Sequence, residues 1–182
     1  MKKKVFLGIG AIIIMFIGWS LYGLFIAKPA SPLATVEGSY DDLNMVVVYS
    51  RPYKKERLIF GEESDEALQP YGKYWRLGAN AATEITFSKA VNFSGKPVDA
   101  GTYRMYAIPG PTNWEVSLNS ELDVFFGVAE PNYDLDVAKV QIPVQSAPET
   151  EQFTINFERD STSAIMNFIW DKTLVSIPIT IQ

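Results

Sequence analysis

From Leu43 onward, apolar and polar residues alternate with the two-residue period of strands rather than the longer period of helices. Leu43, Met45, Val47 and Tyr49 alternate with Asn44, Val46, Val48 and Ser50. The second set is itself half apolar, which predicts a central strand covered on both faces. Ile85 and Phe87 alternate with Glu84, Thr86 and Ser88, and the short runs at 91–93 and 96–98 flank a tight turn at Ser94-Gly95. Between Thr102 and Ile108, Tyr103, Met105 and Ala107 share one face, with Arg104 and Tyr106 opposite. The turn Pro109-Gly110-Pro111-Thr112-Asn113 leads into Trp114, Val116 and Leu118, with Glu115, Ser117 and Asn119 opposite, and predicts a hairpin.

Beyond an irregular stretch from Glu121 to Asp136, strand periodicity returns at Ala138, Val140, Ile142 and Val144, and again at Phe153, Ile155 and Phe157. Pro143 and Pro178 suit edge positions. Residues 164–170 and 174–181 read as two strands closed into a last hairpin by Asp171-Lys172-Thr173. The count is about nine or ten short strands with a turn signal every eight to twelve residues or so, which predicts an all-β domain, a β-sandwich or jelly-roll-like double sheet. One helical turn is expected near Ser64 to Leu68. The long segment from Tyr49 to Thr83 does not read as a plain strand.

The N-terminus breaks this pattern. Lys2, Lys3 and Lys4 precede 23 residues without a charge, Val5 to Ala27. At ~1.5 Å per residue such a helix crosses the ~30 Å hydrocarbon core of a bilayer. The lysines favour a cytoplasmic N-terminus, with the remainder in the periplasm or outside the cell. A signal peptide has a shorter apolar region, of about 7–15 residues, and a small-residue cleavage site that Phe25-Ile26-Ala27 does not supply. An uncleaved anchor is therefore favoured over a cleaved signal. The predicted organisation is residues 1–27 as lysine cluster and transmembrane anchor, 28–34 as a proline-bearing linker, and 35–182 as the β domain.

Charge and composition narrow the chemistry. Without Lys2, Lys3, Lys4 and Lys28, the 16 basic residues fall to 12 against 21 acidic ones, a net charge of −9. Such a domain repels phosphate backbones, so nucleic acid is not an expected partner. There is no cysteine and no histidine. That removes thiol chemistry, a Ser-His-Asp triad and a histidine-ligated metal.

The ordered motifs resemble a bacterial family, domain of unknown function 2911. They are Tyr49-Ser50-Arg51-Pro52, Arg57-Leu58-Ile59-Phe60-Gly61 and the run Pro70-Tyr71-Gly72-Lys73-Tyr74-Trp75-Arg76-Leu77-Gly78-Ala79-Asn80-Ala81-Ala82-Thr83. Ile85-Thr86-Phe87, Ala100-Gly101-Thr102-Tyr103, Ile108-Pro109-Gly110 and Trp170-Asp171-Lys172-Thr173 continue the series. Lys54-Lys55-Glu56-Arg57 lacks the family's glycine, and Phe125-Phe126-Gly127 stands where Trp-Gly is expected. The resemblance implies an exported β-rich domain and carries no activity.

The candidate ligand-binding residues are Arg51, Arg76, Asn80 and Tyr106. Arg51 and Arg76 suit a carboxylate or phosphate, or alternatively internal ion pairs with Glu84 or Asp99. Asn80 sits among small residues, where it can read a sugar hydroxyl or a peptide group, or simply occupy a left-handed turn. Tyr106 and Trp75 are the aromatics to inspect for exposure. Glu84, Asp99, Glu115 and Asp171 offer carboxylates for glycoside hydrolysis, although no motif places two together. Asp123, Glu130, Asp134 and Asp136 lack a regular calcium-loop spacing. No cofactor or metal is expected. The reading is a membrane-tethered, non-catalytic module of the cell envelope that binds a glycan, a peptide or an envelope protein. The alternatives are a carboxylate-dependent hydrolase and a purely structural envelope component.

Overall fold

The computed structural model describes residues 10, 12–19, 30–124 and 127–182. The chain divides into two compact units, Met1–Ala30 and Ser31–Gln182. In the first, residues 12–19 are helical. Much of the predicted Val5–Ala27 span lies outside the described residues; among those described, no helix is long and apolar enough to cross a membrane.

The second unit is built on one large antiparallel sheet. In chain order its strands are β1 (Leu33–Tyr40), β2 (Leu43–Ser50), β5 (Thr83–Phe87), β6 (Val91–Phe93), β7 (Lys96–Val98), β8 (Gly101–Ile108), β9 (Asn113–Asn119), β10 (Asp136–Arg159) and β11 (Ala164–Ile181). The spatial order is β1-β2-β5-β8-β9-β10-β11-β6-β7. Two short parallel strands, β3 (Phe60–Gly61) and β4 (Gln69–Pro70), lie within the long segment between β2 and β5. The expected helical turn is a 3-10 turn at Glu63–Asp65.

Several hairpins follow the turn chemistry. β6 and β7 pair around Ser94 and Gly95, both at positive φ, as a two-residue hairpin that matches strand twist requires. β8 and β9 pair from Arg104 opposite Asn119 to Ile108 opposite Glu115.

The predicted closing hairpin at Asp171-Lys172-Thr173 is not there. β11 runs through it, and Asp171 takes a left-handed φ of 52° opposite Thr150 of β10, with a register shift on either side of Thr150. Asp tolerates this conformation, and its carboxylate is held 2.6 Å from Lys54 Nζ. The strand is bent there, not reversed. The two segments expected at 138–144 and 153–158 are likewise one strand, β10. It pairs with β9 through Pro143 and with β11 from Val144 onward. Pro143 and Pro178 sit where their strands have a neighbour on one side only. β2 is second from the edge, so Val46 and Val48 stay partly exposed rather than covered.

The long strands curl the sheet so that both of its ends share one core. Tyr49 at the end of β2 packs edge-on against Phe153 of β10, and its hydroxyl accepts from Ile155 N at 2.8 Å. Trp75 is the hub of an aromatic cluster with Phe60, Trp114, Phe153 and Trp170, at ring separations of 4.9–5.7 Å. It also exchanges both backbone hydrogen bonds with Ala107, continuing β5's side of β8.

Candidate functional site

The segment that joins β2 to β5 is bonded down along its length. Phe153 N donates to Pro52 O, and Lys54 N to Glu151 O. Arg51 donates through Nε to Phe153 O at 3.1 Å and through Nη2 to Thr154 Oγ1 at 2.8 Å. It is held by these neutral acceptors and not by Glu84 or Asp99, because the segment lays it against β10, whose free edge offers a carbonyl. Arg76 donates to Asn80 O at 2.9 Å, closing the loop that both residues belong to. Asn80 is exposed and left-handed (φ 58°), and donates to Ser31 O at 3.3 Å. Gly78 serves a close backbone approach: a β-carbon there would lie 2.7 Å from Ser50 O.

Neither Tyr106 nor Trp75 is exposed: both are buried. Trp75 belongs to the core. Tyr106 belongs to a second buried layer, on the other face of the sheet centre. There strand register forms two rows across β8, β9 and β10. Arg104 faces Asn119, which faces Asp136; Tyr106 faces Ser117, which faces Lys139. Arg104 is 1% exposed, and Tyr106, Ser117 and Asn119 are fully buried. Part of the β9–β10 connection and Tyr74 cover them.

The guanidinium of Arg104 donates to Glu121 Oε2 at 3.0 Å, to the Tyr74 hydroxyl at 2.6 Å and to Ala129 O at 2.7 Å. Tyr74 passes the chain on by donating to Gly127 O at 3.1 Å. Asp136 accepts from the Tyr106 hydroxyl and from Asn119 Nδ2, each at 2.7 Å. Lys139 lies 3.3 Å from Glu115 and 3.5 Å from Asp136. Tyr74 and Tyr133 rings pack on Tyr106 at 5.6 and 5.9 Å.

Burial pushes the Tyr106 phenol well above its ordinary range, and the Asp136 carboxylate it donates to adds to this. Burial, reinforced by Glu130, raises Tyr133 to about 12. Both phenols are therefore proton donors at neutral pH. Two atoms stand out in this otherwise paired network. Arg104 Nε and Ser117 Oγ have no hydrogen-bond partner among the described residues. Ser117 does bear on the Tyr106 phenol, favouring its ionised form and partly offsetting burial, but in no ordinary hydrogen-bonding geometry.

Residues 31–179 match the family model described as Protein of unknown function (DUF2911). The chain belongs to that family. No curated protein and no solved structure matches the chain. Lys54, three residues after Arg51 and outside the family motifs, bridges to Asp171 of the Trp170–Thr173 motif and to Glu149 at 2.6 Å each. Trp170 stacks on Trp75 with an interplanar angle of 23°. These contacts fasten the long segment to β10 and β11.

The four candidates take different local partners. Arg51, Arg76 and Asn80 anchor the β2–β5 segment, and Tyr106 belongs to the Arg104 layer. Of the carboxylates, Asp171 is engaged by Lys54, and Glu115 by Lys139 and Gln141. Glu84 occupies the β5 position opposite Arg104. No group of three or more potential metal-binding side chains occurs among the described residues. Arg104, Ser117 and Asn119 were not among the candidates. The usable signal was a row of polar residues on the second face of two central strands, followed by a connection long enough to cover it.

Proposed function

We propose that this chain is a non-catalytic binding module of the cell envelope, a sandwich-like double sheet tethered outside the cytoplasm by the Val5–Ala27 span. The observation that carries the binding reading is the pair of unpartnered buried atoms, Arg104 Nε and Ser117 Oγ, among the described residues. Folded proteins pair more than nine in ten or so of their buried polar groups, and the exceptions call for an explanation. An N–H donor and a hydroxyl on one face of the sheet suit a small acceptor-bearing group, such as a glycan hydroxyl or a peptide carbonyl or carboxylate. The separate N-terminal segment is supported by a coincidence: the family match and the compact β unit both begin at Ser31.

The test is thermal stabilisation of the full chain in mild detergent by soluble glycan fragments and short peptides. Wild type gains stability with a member of one panel. Ser117→Ala, which removes an unpaired hydroxyl, keeps the melting temperature of the unliganded protein and loses that gain. If the gain is the same in both proteins, the Arg104 layer is not the binding surface. A C-terminal β-lactamase fusion checks the tether: it confers resistance if the β domain is exported and none if it stays in the cytoplasm.

A further inference from the structure

The two ends of the sheet are built differently. β7 is three residues long and carries Lys96 and Pro97, devices that keep a sheet edge from pairing with another chain. β1, at the other end, is eight residues long. It pairs with β2 in unbroken register from Leu33 opposite Ser50 to Tyr40 opposite Leu43. It contains no proline, no lysine and no bulge; β10 packs close to its inner face at Gly38 and Phe157, but no strand hydrogen-bonds to its other side. Leu33, Thr35, Glu37 and Ser39 face outward, with Leu33 68% exposed.

Over the β1–β2 pair at this end of the sheet lies a depression of about 340 Å³, lined by Glu37, Gly38, Ser39, Asn44, Met45 and Val46. The carboxylates near it are already matched, Asp41 by Arg159 and Asp42 by Lys89. Glu37 has no cationic partner among the described residues. Strand addition draws affinity from main-chain hydrogen bonds and specificity from pockets that take alternate side chains of the incoming strand. An uncompensated carboxylate in such a pocket selects a cation.

We propose that the free edge of β1 accepts an extended peptide strand by sheet addition, and that this strand carries a lysine or arginine that enters the depression beside Glu37. The site is three strands from β8 and independent of the Arg104 layer. A second copy of the chain is a poor occupant, because each β domain carries a net charge of −9 and brings its own Glu37 to the edge.

The experiment uses the full chain in detergent and blocked nine-residue peptides alternating valine and threonine, with lysine or glutamate at the centre. The lysine peptide is expected to bind about tenfold tighter at low salt, as close charge pairs at interfaces allow. Glu37→Gln removes most of that preference, and Glu37→Lys inverts it. Two further lysine peptides carry N-methyl groups on alternate amides, in opposite registers. One loses binding and the other keeps it, because an added strand pairs along one side only. The proposal is overturned by any of four results: no binding to wild type, equal binding of the lysine and glutamate peptides, a preference that survives Glu37→Gln, or equal behaviour of the two methylated registers. It is also overturned if the chain dimerises through β1 and the peptide does not compete.

Discussion

Gly38 lies on the inner face of β1, where Phe157 of β10 packs against it. A β-carbon at this position would sit 2.4 Å from Phe157 Cγ, 2.6 Å from Cδ2 and 2.8 Å from Cβ. These atoms are the root of the ring, so turning the ring about its own axis does not clear them. Gly38→Ala therefore requires either a distorted Phe157 rotamer or a displaced β1. Overpacking of this kind costs ~1–3 kcal/mol, and the stiffer alanine backbone returns ~0.4–1 kcal/mol through the unfolded chain. The expected net loss is about 1–2 kcal/mol, or roughly 3–6 °C in Tm for a domain of this size. Urea unfolding of the full chain in mild detergent reads it through the fluorescence of the buried Trp75, Trp114 and Trp170. In a Phe157→Ala background the ring contacts at 2.4 and 2.6 Å are gone and only the 2.8 Å contact with Cβ is left, so Gly38→Ala costs less there, and the cycle gives a coupling energy of about 1–2 kcal/mol. An equal cost in both backgrounds, or no cost in either, would refute the close approach of β1 to β10.

Three further outcomes are expected. Arg51→Met removes two charge-assisted hydrogen bonds to β10 and costs ~2–4 kcal/mol in urea unfolding, with β-sheet circular dichroism retained. The Lys54 ammonium holds the Glu149 carboxyl below its ordinary value, so this pair's contribution is present above the unfolded carboxyl range near ~4.3 and is lost as pH falls through the lower folded value. Urea midpoints should fall as pH drops from about 5 to 3, and less steeply in Lys54→Met. Burial raises the phenols of Tyr49, Tyr103, Tyr106 and Tyr133. Their effect on stability is fully favourable below the unfolded value of ~10 and is lost as pH rises through the folded values. Phenolate absorbance of the native protein near pH 11 should accordingly fall short of that for all nine tyrosines, and urea should release the remainder.

Gly38 also explains what the alternation pattern left out. β1 was not legible because its inward residues are small: Ala34, Val36 and Gly38 supply little apolar signal, and the volume they omit is filled by Phe157 from 119 positions away. The central strands were legible because each turns large residues to its core face, as β8 does with Tyr103 and Met105 and β9 with Trp114 and Leu118. The bend at Asp171 was misread as a turn for a related reason. Asp-Lys-Thr carries a turn composition, but only the distant Lys54 and the bulged stretch of β10 opposite show that the strand continues.

The candidate residues divide along the same line. An arginine in sequence announces five donors and none of its acceptors. Arg51 and Arg104 look alike along the chain, each next to a tyrosine-bearing strand segment, and Arg51 was favoured because it lies in the irregular stretch. Its acceptors are a carbonyl and a hydroxyl on the free edge of β10, which makes it a fastener of the curled sheet. Arg104 sits mid-strand, where alternation assigns it to solvent. The connection after β9 instead returns Glu121 and Ala129 to it and buries it to 1% exposure. A buried guanidinium that spends three donors on its cover and leaves Nε unpaired is over-provided for the single task of holding that cover down. On the binding reading proposed above, that surplus is what a ligand engages.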